Sequence, residues 1–126
     1  MDDETQVRLR VIEEVTDAFD RHDLDAIMAH FTDDCVYFTP RGSEPFGRRV
    51  EGSESVRAAF QERFTGIPDV RYLGGTHFVA GDRGVSEWRL KGTWTTGEAV
   101  EVRGCDIWTF RGDKIAVKDS FWKRRD

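Results

Sequence analysis

VEVRGCDIWTF, the stretch from Val100 to Phe110, has the alternation of a β-strand that is buried on one side. Successive side chains of a strand point to opposite faces of the sheet. One face then carries Val100, Val102, Gly104, Asp106, Trp108 and Phe110, and the other carries Glu101, Arg103, Cys105, Ile107 and Thr109. The first face is apolar apart from Asp106, and a buried carboxylate costs several kcal/mol unless it is paired or neutralised. We therefore expect Asp106 to have a partner or a chemical role inside the protein.

The chain from Asp69 onward has the pattern of strands joined by short turns. The predicted strands are about Val70–Ala80, Val85–Trp94, Glu98–Phe110 and Lys114–Trp122. The segments between the last three strands contain Gly, Asp and Thr in the manner of hairpin turns. Gly74-Gly75, inside the first of these strands, predicts a bulge and a sharp bend. These features together predict a strongly curved antiparallel meander.

The first half of the chain has mostly helical periodicity. The predicted elements are a helix from Asp2 to about Arg21, a short helix Leu24–Phe31 capped by Asp23, a strand Cys35–Thr39, a loop over residues 40–49, and a helix Glu54–Phe64 capped by Ser53. Helices followed by an antiparallel meander form an α+β arrangement. A strongly curved sheet that folds over helices leaves a cone-shaped hollow.

Length and charge limit the classes of function. The 126 residues suffice for one domain with one core, so we expect a single domain over residues 1–126. With 24 acidic and 19 basic residues the net charge is −5, which argues against a nucleic-acid or anionic-membrane partner. No apolar run is long enough to span a bilayer, and MDDETQ does not resemble a signal peptide. The expected location is the cytoplasm.

Cofactor and metal motifs are not found in the sequence. Cys35 and Cys105 fit no metal or redox spacing, and we interpret them as reduced thiols, with a disulfide between them as the less favoured alternative. No His, Asp and Glu spacing resembles a metal site, and there is no phosphate loop or dinucleotide fingerprint. We expect neither a metal nor a cofactor.

Two motifs and the order of elements connect the chain to a known family. DLDAIMAHFTDDCVYFTPRGSEPFG (Asp23–Gly47) and GCDIWTFRGDKI (Gly104–Ile115), in the order α-α-β-α-β-β-β-β, resemble the NTF2-like superfamily, in particular its SnoaL-like and ketosteroid-isomerase-like members. The resemblance implies a cone in which three N-terminal helices pack on the concave face of a strongly curved antiparallel sheet. It also implies a pocket and a tendency to dimerise. The family hosts isomerases, cyclases, hydrolases, dehydratases and non-catalytic binders, so the fold does not settle the function.

The steroid isomerases of this family can be compared position by position. The resemblance places Thr39 where their general-base aspartate lies, Val15 at their oxyanion-hole tyrosine and Phe60 at an auxiliary tyrosine. Asp106 matches their second oxyanion-hole residue, and Trp122 matches a pocket tryptophan. Because the base and the tyrosine donor are missing, we do not predict steroid isomerisation. SnoaL-type polyketide cyclases are similar in using an aspartate as acid/base, and Asp106 is compatible with that chemistry.

The last hairpin can pair in two registers, which give Asp106 different neighbours. A two-residue turn pairs Arg111 with Lys114 and places Asp106 opposite Asp119, an unfavourable pair of like charges. A three-residue loop pairs Phe110 with Lys114 instead and removes this repulsion. We prefer the three-residue loop on the basis of charge.

The preferred register places Lys118 opposite Asp106, with Ser120 nearby and Trp122 turned inward. Burial raises the pKa of a carboxyl group, whereas a cation at contact distance lowers it. With Lys118 beside it, we interpret Asp106 as an ionised base or an orienting anion rather than a neutral donor. The alternative is a buried ion pair that only fixes the register, or an aspartate bonded to tryptophan indole N–H groups.

Aromatic residues on alternating strand positions predict a lined cavity, with simple core packing as the alternative. The candidate ligand-binding residues are Val15, Tyr37, Thr39, Phe60, Trp88, Trp94, Trp108, Ser120 and Trp122. The predicted ligand is a small, largely apolar, carbonyl-containing organic molecule. The predicted chemistry is proton transfer of the isomerase, cyclase or dehydratase type, with Asp106 as acid/base and Lys118 as its electrostatic partner. The alternative is a non-catalytic binding or assembly module whose cavity is filled by aromatic side chains.

The outer face of the last hairpin predicts an interface between two copies of the chain. In the preferred register that face presents Ile107, Thr109, Ile115, Val117 and Phe121. A bare apolar patch on the convex side of a sheet promotes aggregation unless it is covered. A second copy related by a two-fold axis covers it most simply. We therefore expect a homodimer.

Overall fold

The computed structural model describes residues 2–126, in which three helices and six strands confirm the α+β class. The elements are α1 (Asp3–Asp20), α2 (Leu24–Met28), β1 (Phe31–Phe38), β2 (Arg49–Glu51), α3 (Ser53–Gly66), β3 (Arg71–Ala80), β4 (Arg83–Thr93), β5 (Ala99–Arg111) and β6 (Lys114–Trp122). The strands form one curved sheet in the order β2-β1-β6-β5-β4-β3.

The sheet differs from the wholly antiparallel prediction at one pair of strands. β1 runs parallel to β6, whereas every other neighbouring pair in the described sheet is antiparallel. Parallel strands need a long crossover connection, and the chain between β1 and β6 supplies one. The short edge strand β2 also falls partly in the segment predicted to be a loop, because three residues are too few to show an alternation. β1 and β2 therefore separate the third helix from the first two.

One of the two predicted helix caps is confirmed among the described residues. Asp23 accepts a hydrogen bond from Ala26 N at the start of α2, as predicted. Asp2, predicted as the first residue of the helix, is instead the N-cap of α1 and accepts a hydrogen bond from Thr5 N. The prediction for Ser53 is wrong, because Ser53 is already helical and Gly52 is the N-cap of α3. Gly52 has φ 90°, a conformation that glycine adopts without strain. None of the helices in residues 2–126 has the length and hydropathy that crossing a membrane requires.

The core lies between the helices and the inner face of the sheet. The largest side chains buried there are Trp108, Phe60, Ile12, Ile27, Ile67, Leu90 and Ile115. A buried arginine also joins the layers, because Arg8 of α1 donates to the carbonyl oxygens of Gly81 and Gly112 at 2.8 and 3.0 Å. These two glycines lie in the β3–β4 and β5–β6 turns, so one side chain fixes the helix to both hairpins.

β5 and β6 pair in neither of the two predicted registers. The turn pairs Arg111 with Lys114, but a bulge then shifts the pairing so that Thr109 lies opposite Val117. Asp106 consequently lies opposite Ser120, and Lys118 lies opposite Trp108. A bulge inserts one extra residue into one strand and so changes which face the following residues occupy. Lys118, Ser120 and Trp122 share the inner face with Asp106, as predicted, but through a different pairing.

Because of this bulge, one residue predicted on the outer face of the hairpin lies on the inner face. Ile115 lies opposite Phe110 on the inner face and is fully buried in the core, so its assignment to the outer face is wrong. Ile107 and Val117 remain on the outer face, where Phe121 is 47% exposed. The Gly74-Gly75 bulge in β3 is confirmed, because the pairing of β3 with β4 shifts between Leu73 and Thr76.

Candidate functional site

Asp106 is buried on the inner face of β5, where only 4% of the residue is exposed, and its carboxylate is fully engaged with neighbours. Lys118 Nζ donates to Oδ1 at 2.6 Å, and Ser120 Oγ donates to the same oxygen at 2.5 Å. Trp88 Nε1 donates to Oδ2 at 2.9 Å. The predicted contact between Asp106 and Lys118 is therefore confirmed, and so is the alternative of an indole N–H partner. The catalytic roles of Asp106 and Lys118 stay predictions.

The Lys118 ammonium occupies a cage of aromatic rings. Its Nζ lies 5.1 Å from the ring centroids of Phe19 and Tyr37, 5.4 Å from that of Trp108 and 5.9 Å from that of Phe60. The same nitrogen lies 2.6 Å from Ser120 Oγ. A desolvated cation over aromatic faces gains about 2 kcal/mol or more. The cage and the carboxylate together offset the cost of burying the ammonium.

A second polar group lies beside Asp106 on the neighbouring strand. Ser86 of β4 lies directly opposite Asp106 and is fully buried. Its Oγ accepts a hydrogen bond from Trp108 Nε1 at 2.8 Å and lies 2.7 Å from His77 Nδ1. Burial lowers the pKa of His77, so its imidazole is neutral at pH 7. Sequence reasoning missed Ser86, although it alternates with Trp88 and Leu90 on the same strand face.

Two tyrosine residues, Tyr37 and Tyr72, have hydroxyl groups that do not stabilise the fold by hydrogen bonding. Within residues 2–126, neither the Tyr37 nor the Tyr72 hydroxyl has a hydrogen-bond partner. The Tyr72 ring packs edge-on to Trp88 at 5.3 Å. Burial raises the pKa of Tyr72, and the Arg63 charge acts in the opposite direction. The Tyr72 hydroxyl therefore stays protonated and can donate a hydrogen bond.

The other predicted ligand-binding residues fall into two groups. Val15 and Phe60 are core residues with at most 2% exposure. Trp94 and Trp122 are half-buried at the far ends of β4 and β6, where both lie beside Arg63. Thr39 serves the 40–48 loop, because its hydroxyl donates to the Arg41 carbonyl and accepts from Arg48 N. The structure thus gathers Tyr37, Phe60, Trp88, Trp108 and Ser120 around Asp106 and Lys118, and leaves Thr39 outside that cluster.

One described cavity lies away from Asp106. It is a groove of about 810 Å³, and most of its lining residues belong to the outer face of β3 to β6. Trp88 and Trp122 reach it beside Gly104, where a Cβ would meet both Trp88 and the Phe121 carbonyl at 2.6 Å. A smaller groove of about 310 Å³ is lined by residues of α1 and β3, including Tyr72 and His77. Asp106 lines neither groove and is screened by its aromatic neighbours.

Both cysteines are free thiols and lie on different strands. Cys35 is buried on β1, and burial raises its pKa to about 11. Cys105 is half-buried on β5, and burial raises its pKa as well. In the part of the chain that the structure describes, no group of three or more His, Cys, Asp or Glu side chains is arranged to hold a metal ion.

Comparisons with known proteins support the fold. The profile of the SnoaL-like domain family matches residues 12–118. A proposed polyketide cyclase from Xanthomonas campestris pv. campestris superposes with a TM-score of 0.85 at 17% identity, over 95% of this chain and 93% of that one. An NTF2-like protein of unknown function from Mesorhizobium loti superposes with a TM-score of 0.82 at 24% identity, over 98% of this chain and 97% of that one. TerC, co-crystallised with polyporic acid, superposes with a TM-score of 0.79 at 18% identity, over 93% of this chain and 92% of that one.

No curated protein matches the sequence. The solved structures confirm the NTF2-like fold.

Proposed function

The chain belongs to the SnoaL-like domain family, and we propose that it binds a small, largely apolar, carbonyl-containing organic molecule in the cone and transfers a proton on it. The observation that carries this proposal is the buried charged cluster of Asp106, Lys118 and Ser120. The Tyr37 ring lies 5.1 Å from Lys118 Nζ, and the Tyr72 ring packs on Trp88, which donates to Asp106. Apolar walls with a few convergent polar groups are typical of ligand sites. The reaction would be of the isomerase, cyclase or dehydratase type.

Each group of the cluster has a role in this reaction. Asp106 accepts a proton from the carbon beside the substrate carbonyl and returns it at another position, as a general base and then a general acid. Tyr37 and Tyr72 donate hydrogen bonds to the carbonyl oxygen as it gains negative charge. Lys118 and Ser120 hold the Asp106 carboxylate in place. Because the Trp88 indole is bonded to the carboxylate and Tyr72 packs on that indole, substrate entry requires these two rings to move apart.

Solvent exchange tests this proposal without knowledge of the natural product. We expect the protein to catalyse exchange of α-protons for deuterium in some members of a panel of cyclic and aromatic ketones in D2O, followed by proton NMR. Asp106→Asn is expected to lower that rate by about 10²–10⁴-fold, the usual contribution of a general base. Asp113→Asn, in the exposed β5–β6 turn, is the matched control and should keep the wild-type rate.

The folded state of the Asp106→Asn variant must be checked, because it leaves Lys118 without its carboxylate. The double variant Asp106→Asn/Lys118→Met removes both charges and keeps the experiment decisive if the single variant unfolds. Undiminished exchange in either folded variant would remove Asp106 from the mechanism.

A second candidate is binding without turnover. It is favoured by the complete pairing of Asp106 and by the aromatic side chains that separate it from the described grooves. In that case the buried ion pair fixes the strands around a binding site, and no chemistry occurs. Ligand binding without measurable α-proton exchange would select this candidate.

We also propose that the protein forms a homodimer through the outer face of the sheet. Phe78, Val85 and Ile107 lie opposite one another on β3, β4 and β5, so they form an apolar row across three strands. Phe78 is 54% exposed, and Val117 and Phe121 extend the patch on β6. A patch of this kind is covered most simply by its own copy about a two-fold axis.

Val117→Glu is expected to weaken the dimer by at least about 30-fold, because a charge in the centre of an apolar interface costs 2 kcal/mol or more. Sedimentation velocity across a concentration series measures this change. Thr95→Glu, in the exposed β4–β5 turn, changes the net charge equally and should leave assembly unchanged. A wild-type protein that is monomeric, or a Val117→Glu protein that dimerises as tightly as wild type, would reject this interface.

A further inference from the structure

Two arginines meet two tryptophans at one end of the cone, and we name these four residues the arginine–tryptophan cluster. The guanidinium carbon of Arg63 lies 4.5 Å from the Trp122 ring centroid and 5.6 Å from that of Trp94. The guanidinium carbon of Arg41 lies 5.6 Å from the centroid of the same Trp94 ring. Arg63 comes from the last turn of α3, and Arg41 comes from the loop between β1 and β2.

Neither arginine of this cluster is neutralised by the fold. Among residues 2–126, no carboxylate forms an ion pair with Arg41 or Arg63, and no oxygen accepts a hydrogen bond from either guanidinium. This differs from Arg57 on the same helix, which pairs with Asp25 at 2.7 Å. In a chain of net charge −5, two unpaired guanidinium groups that share one indole are an isolated positive site. A guanidinium always carries its charge and presents donors in a planar fork.

We propose that the arginine–tryptophan cluster binds the carboxylate of the ligand, so that the substrate class is a small aromatic or apolar organic acid. The inference rests on the proposed function, because it names the substrate class of the same cone. A carboxylate matches the planar fork of Arg63 in a bidentate manner. The indole groups of Trp94 and Trp122, which contact the guanidinium groups, supply apolar surface next to the bound carboxylate.

The position of Tyr72 connects this cluster to the interior of the cone. Burial raises the pKa of Tyr72, the Arg63 charge lowers it, and Tyr37 and Asp106 act in the raising direction. Its ring contacts Trp88, whose indole nitrogen donates to Asp106. An acid held at Arg63 would therefore direct the rest of its structure past Tyr72 toward Asp106. The carboxylate is the anchor in this arrangement, and the carbonyl that reacts is a separate group of the same molecule.

A matched pair of probes tests the charge preference. We expect 2-naphthoate to bind the wild-type protein more tightly than its neutral analogue 2-naphthamide in isothermal titration calorimetry. Arg63→Gln is expected to weaken naphthoate binding by about 10- to 100-fold, the usual effect of losing a charge-assisted hydrogen-bonded partner. The affinity for the amide should stay unchanged. Arg63→Lys keeps the charge but loses the fork, so it should give an intermediate affinity for naphthoate.

Arg57→Gln is the control, because it removes the same charge from the same helix. It should leave both affinities unchanged, and naphthoate should shift the indole N–H resonances of Trp94 and Trp122 in NMR spectra. Equal binding of acid and amide that is insensitive to Arg63→Gln would overturn this inference and leave the proposed small-molecule function intact. Failure of both probes to bind would overturn the inference, and the α-proton exchange of ketones would still decide the proposed function separately. Indole shifts that exclude Trp94 and Trp122 would also overturn the inference.

Discussion

Lys118→Met is expected to lower the free energy of unfolding by about 3–5 kcal/mol, the usual cost of removing one partner from a buried ion pair. Both side chains of the pair are only 6% exposed, so water cannot replace the lost ammonium. Methionine keeps an apolar side chain of similar length among the rings of Phe19, Tyr37 and Phe60. The loss therefore comes from the Asp106 carboxylate, which keeps only Ser120 and Trp88 as donors. Urea denaturation followed by circular dichroism measures the effect.

The double variant Asp106→Asn/Lys118→Met tests whether this loss belongs to the pair. Removing both charges leaves no isolated ion, and the asparagine oxygen can still accept from Ser120, whereas the amide NH2 group replaces the oxygen that accepts from Trp88. We expect the double variant to lose less free energy of unfolding than the two single variants lose together, by at least about 2 kcal/mol. This coupling is within the range measured for contacting residues. Lys91→Met is the surface control, because Lys91 pairs with Glu101 at 4.0 Å in solvent and should cost about 1 kcal/mol or less. Strictly additive losses would show that Asp106 and Lys118 are not coupled.

The sequence allows the fold to be predicted because local signals and the global arrangement agree. Strand alternation, glycine-containing turns and helical periodicity each mark an element that the structure contains. The Gly74-Gly75 bulge is detectable for the same reason, since Gly74 has φ 68°, a conformation in which glycine is unstrained. The parallel pairing of β1 with β6 is not detectable in this way, because no local pattern distinguishes a parallel partner from an antiparallel one.

The candidate site could be predicted in composition but not in pairing. Avoiding a like-charge contact between Asp106 and Asp119 leads to the correct partner, Lys118, although the register on which it was based is wrong. A bulge near Ala116 keeps Asp119 from lying opposite Asp106, and no glycine or proline in the sequence indicates this bulge. The sequence also does not indicate the contacts of Ser86 with Trp108 and His77, or those of Arg63 with Trp94 and Trp122. Ser86 is a small polar residue between aromatic ones, and an arginine on an amphipathic helix normally suggests only a solvated surface.

The bulge leads to the second large effect, which concerns Ile115. This residue is fully buried, lies opposite Phe110 and pairs with Phe31 of β1. Ile115→Glu removes about 1.5–3 kcal/mol of apolar burial and adds the cost of an unpaired buried carboxyl group, which is several kcal/mol. The buried cation beside Phe110, Arg8, is already bonded to the carbonyl oxygens of Gly81 and Gly112. Because a typical domain is stable by only about 5–15 kcal/mol, we expect the Ile115→Glu protein to be largely unfolded.

Val117→Glu is the matched comparison, two residues further along the same strand. Without the bulge, Ile115 and Val117 would share one face of the sheet, and a glutamate would have the same effect at either position. With the bulge, Val117 is half-buried on the outer face, so Val117→Glu should keep dispersed amide resonances in a proton–nitrogen NMR spectrum, whereas Ile115→Glu should collapse them. Equal dispersion in the two variants would contradict the observed register. Dispersion in the Val117→Glu spectrum but not in the Ile115→Glu spectrum would show that the bulge lies between Ile115 and Val117. It would also support the position of Asp106 and Lys118 on the same inner face as Ile115.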